Sequence, residues 1–155
     1  LLVESKRKYF KSLFENGHEL RLIDGVLDLI KHYKQNGITL ILASSASMDN
    51  INMIFKKFGL DQYFKAKISG ADLKASKPHP EIFEKAAKLS GKLKKECLVI
   101  EDATNGIIAA KSAGIFCVAF DGGLSKNQNY SKADLVINEF ETIYLEKLKS
   151  IKFPT

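Results

Sequence analysis

Nowhere in these 155 residues does an apolar run approach the length that crosses a bilayer. The opening LLVESKRKYF puts its apolar residues ahead of its basic ones, the reverse of a secretory leader. The expected compartment is therefore the cytoplasm, and no membrane partner is expected. Cysteine is scarce as well: the chain has two, Cys97 and Cys117. Each lies inside an apolar, strand-like run, the habit of reduced, buried thiols, so no disulfide is expected. No second histidine or cysteine stands at ligand spacing from His79, which leaves that residue to its turn and excludes a metal role for it. The sequence also lacks GxGxxG, and Gly122-Gly123 leads into polar loop instead of a helix, so a dinucleotide fingerprint is missing. Internal repeats and low-complexity linkers are absent too. With 45% hydrophobic residues, the length suits one domain with a real core.

Charge is not scarce, but it is not balanced. The 24 Lys and Arg against 18 Asp and Glu give a net +6, which raises nucleic acid or a phosphorylated ligand as a partner. The lysines are scattered along helix faces, some as pairs such as Lys56-Lys57 and Lys94-Lys95, and form no stripe interleaved with aromatics. They read as a solvated surface, and no nucleic-acid partner is expected.

What the chain does have is strands and helices in alternation. Tyr9, Phe10, Leu13 and Phe14 share one face of an amphipathic helix over Glu4 to Glu15, and a second helix follows from Asp24, its expected N-cap, to Asn36-Gly37. Ile38 to Ala43, Ala66 to Ser69, Cys97 to Ile100, Ile115 to Phe120 and Ala133 to Ile137 read as strands. ITLILA is apolar almost throughout, which marks a strand covered on both faces and hence a parallel sheet. Helices begin after Ser47, at Pro80 and after Asp102, and Gly59, Gly91 and Gly114 stop them. A closing helix is expected over Glu141 to Ser150.

Ligands bind at the carboxyl ends of parallel strands, so the residues there carry the functional argument. The strand Cys97 to Ile100 runs into the adjacent carboxylates Glu101 and Asp102. Two such charges repel unless a cation lies between them, and Mg²⁺ suits oxygen ligands of this kind. The alternative for Asp102 is a helix N-cap, with Glu101 favoured by the helix dipole. Ser44, Ser45 and Ser47 end the strand ITLILA, where hydroxyls facing a helix N-terminus hold an anion such as phosphate; Ser47 is the natural cap of the next helix. Lys77 lies between a strand and Pro78-His79-Pro80, and proline restricts the residue before it to extended backbone, which fixes the path of the lysine.

Three stretches in order, LASSAS, SKPHPEIF and VIEDATNGIIAAKSAG, resemble the second, third and fourth motifs of the haloacid dehalogenase superfamily, in its β-phosphoglucomutase-like branch of phosphatases and phosphomutases. The resemblance covers Asp24 to Ile137. It implies a Rossmann-like α/β core, a parallel sheet with helices on both faces. It also implies Ser44 and Lys77 as catalytic residues that, with Ser45, bind the phosphoryl group of a small phosphorylated metabolite, and Glu101 and Asp102 as ligands to Mg²⁺. An aspartate would attack phosphorus while lysine, serine and the metal offset charge on the transferring oxygens.

One motif has no match. The superfamily's first motif, an Asp-x-Asp at the end of a first strand, supplies the nucleophile, and no Asp-x-Asp occurs in the chain. Residues 1–20 resemble the end of a helical cap and 21–155 an α/β core without its first strand, which in the family lies between the strands ending at Ser44 and Glu101. Three outcomes are open for the sheet: a strand supplied by another chain, closure of the two neighbours onto each other, or a gap, and the gap is expected. The 155-residue chain alone is expected to be inactive. The competing expectation is a non-catalytic phosphate-binding or regulatory module, and the upstream coding sequence separates the two. If Glu101 and Asp102 repel, their neutral double variant should be no less stable without metal.

Overall fold

Every residue of the strand Phe116–Phe120 is buried, and the fold is arranged on its two faces. The structure, a computed structural model, describes residues 20–123 and 127–149. In chain order the elements are α1 Val26–Gln35, β1 Leu40–Ser44, α2 Met48–Phe58, β2 Phe64–Ser69, α3 Glu81–Ser90, β3 Leu98–Glu101, α4 Thr104–Ser112, β4 Phe116–Phe120, β5 Leu135–Ile137 and α5 Leu145–Leu148. Short 3₁₀ turns lie at Gly70–Asp72, Lys94–Glu96 and Phe140–Ile143. All strand pairs are parallel.

The period of two along the strands sorts the core into layers. Ile41, Ala43, Val99, Cys117 and Ala119 pack with Ile82, Phe83 and Ala87 of α3 and Ile107, Ala109 and Ala110 of α4. Leu40, Leu98, Phe116, Val118 and Phe120 point the other way, against Leu29 and Tyr33 of α1 and the C-terminal Ile143 and Leu148. Ile51 and Phe55 of α2 extend that second face over Leu42 and Phe64. Helices cover both faces, as the near-continuous apolar strands require.

The strands form two ladders, β1–β2 and β3–β4–β5, and no ladder joins β1 to β3. β4 has a hydrogen-bonded neighbour on each edge and is wholly buried. β1 is only half-buried along its length, and Ile100 of β3 is 36% exposed. Of the three outcomes open for the sheet, closure of β1 onto β3 does not occur.

Several boundaries differ from expectation for local reasons. Asp24 does not cap α1: Val26 N–H donates to Ile23 O at 3.1 Å, a turn that puts Gly25 at the cap position with φ 80°, and no side chain caps the helix. The closing helix is cut at Tyr144 (φ −62°, ψ 149°), which separates the 3₁₀ turn from the short α5. Ser47 does cap α2, accepting from Asn50 N–H at 3.5 Å, and Gly59 ends it at φ 63°. Both cysteines are free. The expected helix Glu4 to Glu15, and nearly all of the proposed cap remnant, lie outside the described residues.

Candidate active site

Ser44, Lys77 and Glu101 come from three separate segments, and the structure draws them to one edge. β1 delivers Ser44 as its last residue. Its Oγ accepts from Ala46 N–H at 3.2 Å, which orients the oxygen and leaves the hydroxyl proton to donate elsewhere. Ser45 is exposed in the same turn. Ser69, at the end of β2 and only 2% exposed, braces that turn: its Oγ donates to Ala46 O at 2.8 Å and accepts from Ala71 N–H at 3.2 Å. Ser69 ends the strand FKAKIS beside Gly70, a signal the sequence shows but one that does not distinguish a brace from an ordinary turn serine.

Lys77 is carried by the loop between β2 and α3. Glu81 Oε2 accepts from Ala75 N–H at 3.0 Å, and His79 Nδ1 accepts from Glu81 N–H at 3.2 Å, so the loop is fastened to the first turn of α3. His79 thus serves its turn, as expected. The Lys77–Pro78 peptide bond is cis. From this loop the Lys77 ammonium reaches across to donate to Glu101 Oε2 at 2.6 Å and to Ala43 O at 3.3 Å, and it lies 4.8 Å from the centre of the Phe83 ring. The lysine and glutamate side chains are 13% and 11% exposed. Shielding from water strengthens the attraction between the two charges.

Glu101 is consequently not an unbalanced charge. Oε1 accepts from the N–H groups of Asp102 and Ala103 at 3.1 and 3.2 Å, while Oε2 takes the lysine. The cation that the acidic pair calls for is, on the glutamate side, an amino acid of the chain itself. Asp102 is exposed, and it is not the helix cap: the N-cap position of α4 is Ala103, with no side-chain cap. Gln128 supplies that function from the loop after β4, its Oε1 accepting from Thr104 N–H at 2.7 Å and from Thr104 Oγ1 at 3.0 Å. Asn129 N–H donates to Thr104 Oγ1 at 2.8 Å. The N-cap alternative for Asp102 falls with this arrangement.

The same loop brings two residues that sequence reasoning passed over. Burial raises the Tyr130 phenol, and the carboxylates of Asp121 and Asp102 raise it further. Asp121 follows the apolar strand β4, the position that singled out Glu101 and Asp102, and that signal was available.

Among the described residues no three His, Cys, Asp or Glu side chains converge as a metal cage built from protein alone. Mg²⁺ does not need one, because it is held by one or two carboxylates together with water and substrate phosphate. Exposed Asp102 beside Glu101 is a donor set of that kind.

Parallel strands wound with helices on both faces, with polar groups gathered at their carboxyl ends, define an α/β domain of the Rossmann-like class. The profile of the haloacid dehalogenase-like hydrolases matches residues 2–114, and the chain belongs to that family. It is 32% identical over 147 residues to β-phosphoglucomutase of Bacillus subtilis, covering 95% of this chain and 62% of that protein. Against the bifunctional riboflavin kinase/FMN phosphatase of Arabidopsis thaliana it is 35% identical over 130 residues, 83% of this chain and 34% of the relative. The chain thus spans less than two thirds of the length of either. Among solved structures, CbbY from Rhodobacter sphaeroides in complex with phosphate superposes with a TM-score of 0.83 at 29% identity, over 94% of this chain and 66% of that one. For β-phosphoglucomutase from Clostridium difficile the TM-score is 0.77 at 31% identity, over 94% and 63%.

Proposed function

We propose that the complete protein is a Mg²⁺-dependent phosphatase or phosphomutase acting on a small phosphorylated metabolite of the sugar phosphate kind. The observation that carries this reading is the Lys77 ammonium, held by a fastened loop between the carboxyl end of β1 and the acidic end of β3. A fixed cation beside a serine hydroxyl is what a phosphoryl group gaining charge in a transition state requires. In this reading Lys77 and the Ser44 hydroxyl bind and orient the phosphoryl oxygens, with Ser45 at the mouth of the turn. Asp102 holds the metal with Glu101 beside it, and Glu101 keeps Lys77 aimed. The metal, when bound, supplies positive charge to the phosphoryl oxygens. Relatives named β-phosphoglucomutase and FMN phosphatase, and a neighbour in complex with phosphate, support the substrate class.

The nucleophile is assigned to an aspartate on a further strand, from elsewhere in the protein or from another chain, seated between β1 and β3. The missing ladder there and the half-buried state of β1 support that placement. A second reading, a non-catalytic phosphate-binding module, is favoured by the absence of Asp-x-Asp from the sequence. Phosphate release from p-nitrophenyl phosphate and a panel of sugar phosphates by the full-length protein tests the choice. Turnover that chelation abolishes and Mg²⁺ restores is expected; phosphate binding without turnover would establish the module.

A further inference from the structure

Gly106 lies in the first turn of α4, is buried, and has ordinary helical backbone, since it is not among the residues with positive φ. The backbone therefore does not ask for glycine, and alanine is the better helix former. The space does ask for it. A Cβ at this position would overlap Cγ, Cδ and Oε2 of Glu101. Oε2 is the atom that holds the Lys77 ammonium at 2.6 Å, and the carboxylate has little room to retreat because Oε1 is tied to the N–H groups of Asp102 and Ala103.

We infer that Gly106 is a positioning residue whose missing side chain forms the seat of the Glu101 carboxylate, and that through Glu101 it sets where the Lys77 ammonium stands. The consequence for turnover rests on the phosphoryl-transfer reading; the consequence for Lys77 does not. A methyl at 106 pushes Oε2 away, the ion pair opens, and the ammonium is released from the edge between β1 and β3. The chemistry of the site is then lost without any change to a group that touches substrate.

A double-mutant cycle in the full-length protein, Gly106→Ala and Glu101→Ala singly and together, tests this with two readouts. The first is turnover of p-nitrophenyl phosphate. The second is the acetylation rate of individual lysines by an amine-reactive ester, read by peptide mass spectrometry, with Lys111 as internal control because it is paired separately with Asp134. Gly106→Ala is expected to lower turnover about 100-fold, the scale of losing one charge-stabilising group, and to speed acetylation of Lys77 severalfold while leaving Lys111 unchanged. On a Glu101→Ala background, adding Gly106→Ala should change neither readout further, because the overlapping atoms are gone. Equal losses on both backgrounds, or an unaltered Lys77 rate in Gly106→Ala, would overturn the inference. If Gly106→Ala alone does not fold, a folded double variant supports the seat and an unfolded one overturns it. If no form of the protein turns over a phosphate ester, the functional reading fails and the labelling pattern alone decides the role of Gly106.

Discussion

Lys77 and Glu101 lie 24 positions apart in sequence, yet their side chains meet at 2.6 Å across the interval between two strands that share no ladder. Each loses water on becoming largely buried, and each is compensated by the other. The pair joins the end of β1 to the end of β3, and Ala43 O accepts from the same ammonium.

Lys77→Met keeps most of the side-chain length and removes the charge. Turnover by the complete protein should fall by at least 100-fold, on the order of losing one electrostatic contact to the transferring group. Glu101 would be left without its lysine, so the variant should also lose about 1–3 kcal/mol of stability. Steady-state kinetics and urea denaturation measure the two effects, and normal values in both would remove the role assigned to Lys77.

Glu101 and Asp102 should separate when neutralised one at a time. Asp102→Asn is expected to abolish Mg²⁺-dependent turnover with stability within about 0.5 kcal/mol of the parent, as for an exposed site. Glu101→Gln leaves the lysine charge unbalanced and should cost about 1–3 kcal/mol. The expectation from sequence, that neutralising both relieves repulsion, is revised by the ion pair. Thermal unfolding with and without Mg²⁺ distinguishes the two residues, and undiminished magnesium dependence in the double variant would remove the metal assignment.

A polypeptide of residues 1 to 155 alone should release no measurable phosphate from p-nitrophenyl phosphate, since no Asp-x-Asp is present to supply the nucleophile. Activity in a verified preparation that is lost on mutating one of its own aspartates other than Asp102 would relocate the nucleophile to this chain.

Tyr33 donates from its buried hydroxyl to Ile143 O at 2.7 Å, and burial raises its phenol above the ordinary value of 10.0. The unfolded chain therefore gives up this proton first as pH rises through 10.0, so the contribution of Tyr33 is present below that pH and is lost progressively above it. Tyr33→Phe should cost about 1 kcal/mol near neutral pH through the lost hydrogen bond, and should show a smaller alkaline loss of stability than the parent. Denaturation curves across the alkaline range check both signs.

Cys117 is fully buried, and its thiol is pushed up to about 12, chiefly by burial and then by the carboxylates of Glu101 and Asp134. A neutral-pH thiol reagent should modify half-buried Cys97 first and reach Cys117 only on unfolding. Equal rates in native protein would contradict the burial.

The elements were legible in the sequence because each is announced by local physics. Apolar runs such as LVI and FCVAF mark strands, the second of them covered on both faces, and Ser47, Gly59, Gly91 and Gly114 bound helices through hydrogen bonds and left-handed turns that reach no further than four residues. Ser44, Glu101 and Asp102 were legible at strand ends, and Lys77 in the proline-held turn that follows a strand, since a parallel layer gathers such positions at one edge. What the sequence could not hold is pairing across distance. That Lys77 neutralises Glu101, that Gln128 rather than Asp102 caps α4, that Ser69 braces the turn after Ser44, and that Gly106 makes room for a carboxylate all depend on which segments the packed helices bring together. Side-chain charge and shape act over a few ångströms of space, and only the tertiary structure decides which residues share that space.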